Sequence, residues 1–285
     1  MSTHCIHDQW REGSGALLES RDPVTGDVCW SGRAAGADEV DAAFKAARGA
    51  FEAWADTTLE QRSACIEAFA EQLRGDYETF AETISTETGK PIWEARTEVD
   101  AMLGKAPTSI AAHRERRAPM RIDMKDGHGY TRYKPHGVLA VFGPFNLPGH
   151  LPNGHIMPAL LAGNTIVFKP SEQAPSVGAR MMELWRRAGL PAGVINLVQG
   201  GRATGQHVVA HPQLDGLLFT GSFAAGRAIN RALAGQPGKI VALEMGGNNP
   251  LIVHRTENVD AAAYHTVLSA FITAGVGPWL PYQML

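Results

Sequence analysis

The sequence predicts an α/β protein built around a doubly wound parallel sheet with helices ahead of it. Three observations carry that expectation. Continuously apolar runs recur after Gly137, at residues 137–142, 164–168, 194–198, 216–220 and 240–243. Helical patterns separate such runs, as strands buried on both faces require. Before residue 119 the apolar positions follow a helical period instead.

The elements follow in order. Asp22-Pro23-Val24-Thr25-Gly26-Asp27 is turn chemistry between two strand-like runs, so the chain is expected to open with a hairpin. Val40, Ala43, Phe44, Ala47, Phe51 and Trp54 share one helical face. Ile66, Phe69, Leu73, Tyr77, Phe80 and Ile84 share another, stopped by Gly89 and Pro91. A third helix runs from Trp93 into the basic segment 113–117, which reads as a solvated helix end. Residues 181–188 are helical and end at Gly189. Beyond Pro250 come a strand at 251–253 and a helix at 258–274, after which residues 276–285 hold no period.

Composition excludes several classes. The chain has 285 residues, 44% of them hydrophobic, ample for a core. A net charge of −3 without basic runs argues against a nucleic-acid surface. No apolar stretch approaches the roughly 20 residues of a membrane helix. The polar N-terminus lacks the layout of a secretory signal, and Cys5, Cys29 and Cys65 have no paired spacing. A cytoplasmic protein is expected. His150 and His155 match no metal-ligand spacing, so no metal is expected and the two read as loop or substrate-channel residues.

Two long motifs then identify a resemblance. The segments 145–155 (Phe145-Asn146-Leu147-Pro148-Gly149-His150-Leu151-Pro152-Asn153-Gly154-His155) and 244–250 (Glu244-Met245-Gly246-Gly247-Asn248-Asn249-Pro250) resemble the NAD(P)-dependent aldehyde dehydrogenase superfamily. Within it they are most similar to the succinylglutamate-semialdehyde dehydrogenases of arginine breakdown. The likeness covers about residues 20–275, with the motifs in the family's order.

The resemblance implies a fold and a division of the chain. Residues 1–119 would form a hairpin and helices packed on the cofactor domain, and residues 120–134 an oligomerisation arm, since Tyr130-Thr131-Arg132-Tyr133 resembles the family's inter-subunit arm. Residues 135–243 would be the NAD-binding domain, and 244–285 the start of an incomplete catalytic domain. Homo-oligomers and a small aldehyde substrate are implied as well.

It also implies roles. Asn146 would be the oxyanion donor, against a plain reading as a turn-capping Asn between prolines. Lys169 and Glu172 would hold the adenosine ribose, and the carboxylate would repel a 2′-phosphate and favour NAD. Their plain reading is a surface ion pair. Ser222 and Gly221, where a strand meets a helix N-terminus, would face the pyrophosphate, although Ser is also an ordinary N-cap. Phe142, Met245 and Gly246 would complete the cofactor site, and Glu244 would be the general base.

The family's nucleophile should come next, in a pattern of an aromatic, three residues, then Gly-Gln-x-Cys. Phe271-Ile272-Thr273-Ala274-Gly275 fits its first half. Val276 then replaces Gln, and Pro278 stands at the cysteine position. Three expectations are open: an NAD-dependent aldehyde dehydrogenase truncated and inactive, a non-catalytic NAD-binding module, or an interaction partner of full-length subunits.

Overall fold

The computed structural model describes residues 3–247, 249–272 and 281–284. Two short strands, β1 (His4–Ile6) and β2 (Gln9–Arg11), come first. The hairpin expected at the start follows them, as β3 (Leu17–Arg21) and β4 (Val28–Arg33). Asp22 closes its turn, accepting from Val24 N at 2.7 Å.

Helix α1 (Ala37–Ala55) starts at Gly36, whose N–H is held by the Glu39 carboxylate at 2.7 Å. Helix α2 (Leu59–Gly75) starts at Thr58 with a full capping box: Thr58 Oγ1 accepts from Gln61 N, and Gln61 Oε1 accepts from Thr58 N. The apolar stripe read as one helix at 66–84 is divided, because α3 (Tyr77–Thr88) begins after Asp76. The Asp76 carboxylate instead receives the Arg180 guanidinium, with both contacts at 2.5 Å. Helix α4 (Ile92–Arg116) completes this layer, and the exposed hairpin β5 (Met120–Met124) and β6 (Gly127–Thr131) follows.

The sheet then builds in alternation: β7 (Val138–Phe142), α5 (His150–Leu161), β8 (Thr165–Lys169), α6 (Pro175–Arg187), β9 (Ile195–Leu197), α7 (Arg202–Ala210), β10 (Gly216–Gly221), α8 (Phe223–Leu233) and β11 (Ile240–Met245). Its strand order is β11-β10-β7-β8-β9-β1-β2. The five strands from β11 to β9 are parallel, whereas β1 adds antiparallel through Cys5 opposite Leu197. The chain winds outward from β7 through β8 and β9, then crosses to β10 on the other side. That reversal makes a topological switch point between β7 and β10.

Alternation along β7 divides the core. Val138, Ala140 and Phe142 join Phe44, Val208 and Leu217 under α1, α7 and α8. Leu139 and Val141 face the other way, onto Phe69, Phe80, Met102, Leu160 and Trp185 from the helices α2 to α6. Phe69 stacks on Trp185 with ring centroids 3.9 Å apart. Burying a side chain of this size stabilises by about 1.5–3 kcal/mol. Gly137 admits the chain to β7: at φ +133°, a Cβ there would lie 2.0 Å from Asp215 Oδ2. Asp215 needs that space, because it accepts from Val138 N at 2.8 Å and pairs with Arg48.

Past β11 the chain forms β12 (Asn249–Leu251), two residues ahead of the strand expected at 251–253, then α9 (Val259–Phe271). β13 (Pro281–Met284) pairs in parallel with β12. The expected cysteine position, Pro278, lies outside the described residues.

Candidate active site

The residues singled out in the sequence gather at the carboxyl edge of the parallel sheet. Phe142 ends β7, Lys169 ends β8, Gly221 ends β10 and Met245 ends β11. Asn146 lies in the loop after β7, and Glu244 pairs with Thr220 across β10 and β11. Ligands of open α/β sheets bind at this edge, beside the switch point.

Lys169 is buried. Phe142 and Lys169 occupy paired positions, and Nζ lies 5.7 Å from the Phe142 ring centroid. Nζ donates to Gly200 O at 2.6 Å and Pro170 O at 2.9 Å, with Glu172 Oε2 at 3.6 Å. Burial holds the Lys169 ammonium below its usual pKa, against the opposing pull of Glu172. Glu172 is half exposed. A cation fixed by two carbonyls and a carboxylate that reaches solvent are donor and acceptor suited to a vicinal diol.

The loop that supplies Gly200 O is itself clamped. Gln199 N donates to His4 Nδ1 at 2.9 Å, Ala35 N donates to Gln199 O at 2.8 Å, and Thr204 Oγ1 donates to Ala35 O at 2.7 Å. The N-terminal segment therefore sets the height of the carbonyl that holds Lys169.

Helix α8 opens at Ser222, whose Oγ accepts from Ala225 N at 3.2 Å. Ser222 is thus an N-cap, and its first turn, Ser222 to Ala225, is exposed. Free N–H groups at such a turn favour an anion. Gly226 lets the helix lie against the sheet, since a Cβ there would come 2.4 Å from Met245 Sδ.

Asn146 is half-buried, and its Oδ1 accepts from Leu147 N at 3.0 Å. The loop bearing it is fixed from below by Glu98 on α4, which is 1% exposed. Glu98 Oε1 accepts from Gly149 N at 2.8 Å and His150 N at 3.1 Å, while Oε2 takes Lys90 Nζ at 2.6 Å. Across the switch point, the Nε2 atom of His155 lies 3.0 Å from Thr220 Oγ1. Burial lowers the pKa of His155 from its ordinary value, opposed by the Glu244 charge nearby. Glu244 itself is exposed.

Sequence reading did not single out Glu98, Gly200 or Thr220. Glu98 carried a signal: it is an acid on the same helical face as Ala95, Val99 and Met102. The Gly200 carbonyl carried none, because any residue presents one. A cleft of about 530 Å³ lies elsewhere, lined by Asp76, Thr83, Glu87, Arg180 and Glu183, and no candidate site residue borders it. No metal-binding group of His, Cys, Asp and Glu occurs among the described residues.

Known proteins share this fold. The model of the aldehyde dehydrogenase family matches residues 10–277. N-succinylglutamate 5-semialdehyde dehydrogenase of Ectopseudomonas mendocina is 54% identical over 275 residues, 96% of this chain and 56% of that protein. Its counterpart in Cronobacter sakazakii is 55% identical over 270 residues, 95% of this chain and 55% of that protein. The chain therefore spans about half the length of the curated relatives it matches. Among solved structures, an NADP-dependent enzyme of E. coli superposes with a TM-score of 0.93 at 31% identity, covering 99% of this chain and 59% of that one. An NAD-dependent benzaldehyde dehydrogenase of Corynebacterium glutamicum gives 0.89 at 31% identity, covering 98% and 62%. Both cofactors thus occur among close structural neighbours. On the matched sequence, the chain belongs to the aldehyde dehydrogenase family.

Proposed function

We propose that this chain is the NAD-binding half of an enzyme that oxidises N-succinylglutamate 5-semialdehyde to the acid, in the cytoplasm, and that it does not complete the reaction itself. The buried Lys169 paired with the solvent-reaching Glu172 is the observation that carries the cofactor assignment. That donor set fits a ribose, and the carboxylate disfavours a 2′-phosphate, so NAD is preferred over NADP. The exposed first turn at Ser222 fits the pyrophosphate.

The bound nicotinamide supplies the two-electron acceptor. This chain's residues supply an oxyanion donor and a base. Asn146 Nδ2 donates to the aldehyde oxygen as negative charge develops there. Glu244, exposed at the end of β11, takes a proton from water. Glu98 holds the Asn146 loop in register through the amides of Gly149 and His150. The thiol that such a reaction uses as nucleophile has no counterpart at Pro278. The family match also ends at residue 277.

The domain division at 119, 134 and 243 belongs to this proposal, as does homo-oligomeric assembly. A second reading, a cofactor-binding module that assembles with longer subunits, is favoured by the exposed Val259, Val267 and Phe271 on α9. Calorimetric titration of NAD into the chain, set beside an assay of aldehyde-dependent NADH formation, tests the proposal. NAD binding without turnover is the expected result, and turnover or absence of binding contradicts it.

A further inference from the structure

The wall formed by α4 and α5, which flank the Asn146 loop, carries a cation that no carboxylate of the described residues neutralises. Lys105 of α4 lies along α5 at Gly154, where a Cβ would stand 3.8 Å from Lys105 Cε and 3.9 Å from Nζ. The glycine leaves room for the ammonium head. Lys105 is half-buried and forms no ion pair among the described residues. Its neighbour Lys90 differs, because Glu98 neutralises it at 2.6 Å. The remaining oxygen of Glu98 is used by the amides of Gly149 and His150.

Two histidines share this wall. His150 Nδ1 is buried without a hydrogen-bond partner among the described residues, a costly state unless a ligand completes it. The charges that act on His150 are those of Lys105, Glu98 and Lys90, and those that act on His155 are Glu244 and Lys105. Burial first, and then Lys105, suppresses the protonation of His150. A cation without a carboxylate partner among the described residues, set on α4 against the helix that carries an unsatisfied imidazole just after the Asn146 loop, is complementary to an anion carried by the substrate.

We propose that Lys105 and His150 form a carboxylate-binding subsite that selects aldehydes bearing acidic groups. The inference rests on the substrate class proposed above and deepens it. N-succinylglutamate 5-semialdehyde carries two carboxylates away from its aldehyde carbon. Lys105 Nζ pairs with one of them and His150 Nδ1 donates to the same group once protonated. Neutral aldehydes leave both unpaired, and that difference produces the selectivity.

The probe is N-succinyl-L-glutamate, the product acid, with its methyl triester as the uncharged control. Both are titrated calorimetrically into the full 285-residue chain. Histidine-labelled protein reports the His150 ring by NMR, and NAD is titrated in parallel. The acid is expected to bind and the ester not to. Lys105→Met should weaken the acid by at least about tenfold, as loss of a charge-assisted contact does, and Lys105→Arg should restore most of it. Binding should raise the His150 pKa, because an adjacent anion favours the imidazolium. A purely structural lysine would not produce that NMR shift. Equal binding of ester and acid, equal affinity in Lys105→Met, or no binding of the acid to the wild-type chain overturns the subsite. If NAD binds and the acid does not, only the subsite falls. If the acid binds through Lys105 and NAD does not, the cofactor reading falls and the subsite stands.

Discussion

His4 Nδ1 accepts the backbone N–H of Gln199 at 2.9 Å, although 195 residues separate them in sequence. The other ring nitrogen, Nε2, lies 3.1 Å from Arg33 O and donates to it. Only the neutral ring with its proton on Nε2 satisfies both contacts. The bond ties β1 to the loop whose next carbonyl, Gly200 O, holds Lys169.

Acid should therefore loosen the fold. Burial lowers the pKa of His4, His150, His155, His113 and His211 below the ordinary 6.5. The unfolded chain then binds more protons than the folded one, so stability rises with pH in this range. It is complete above about pH 6.5 and falls as pH drops from there toward the folded-state values. Thermal melts in a pH series check this, and His4→Asn, which keeps an acceptor but cannot titrate, should flatten part of the slope. A melting temperature constant between about pH 7.5 and 5 would contradict it.

The Lys90–Glu98 pair is expected to be a stability determinant. Glu98→Ala would leave a buried ammonium and two orphaned amides at the start of α5. Removing one partner of a buried pair costs about 3–5 kcal/mol. Urea denaturation measures this, and a loss below about 1 kcal/mol would place the pair among surface-like bridges.

Much of the fold was legible because both faces of the central strands are covered. Apolar runs such as 138–142 and 165–169 admit few other readings. The strand β1 was not legible, since three residues show no period and their pairing with β9 is long-range. The break at Asp76 was hidden because the apolar stripe keeps phase across it, and only the distant Arg180 reveals its use. In the candidate site, side chains with special chemistry could be picked out as candidates, as Asn146, Lys169 and Glu244 were. The clamp through Gly200 O and the unpaired Lys105 depend on backbone atoms and on vacancies beside a glycine, which residue types do not display.

Association is expected in solution. On β5 and β6, Met120, Ile122, Met124 and Tyr130 are exposed, and on α9 Val259, Tyr264, Val267 and Phe271 are exposed, the last at 70%. Patches of this kind are covered by partners or drive aggregation. Light scattering should give a mass above one chain, reduced by Met120→Lys/Ile122→Lys or by Val267→Lys/Phe271→Lys. A monodisperse monomer that binds no hydrophobic dye would contradict this.

Aldehyde oxidation by the isolated chain should be undetectable, because proline at 278 offers no nucleophile. NADH formation from N-succinylglutamate 5-semialdehyde is the assay. A rate normal for a dehydrogenase, abolished by Glu244→Gln, would show that another group performs the attack.

Calorimetric titration of NAD and NADP into the wild-type chain and into Lys169→Ala/Glu172→Ala tests the central claim most directly. NAD should bind the wild type more tightly than NADP. The double variant should lose about 1–3 kcal/mol for NAD, roughly a tenfold or greater weakening. Equal NAD affinity in the two proteins, or NADP bound as tightly as NAD, would contradict the assignment of Lys169 and Glu172 to the ribose.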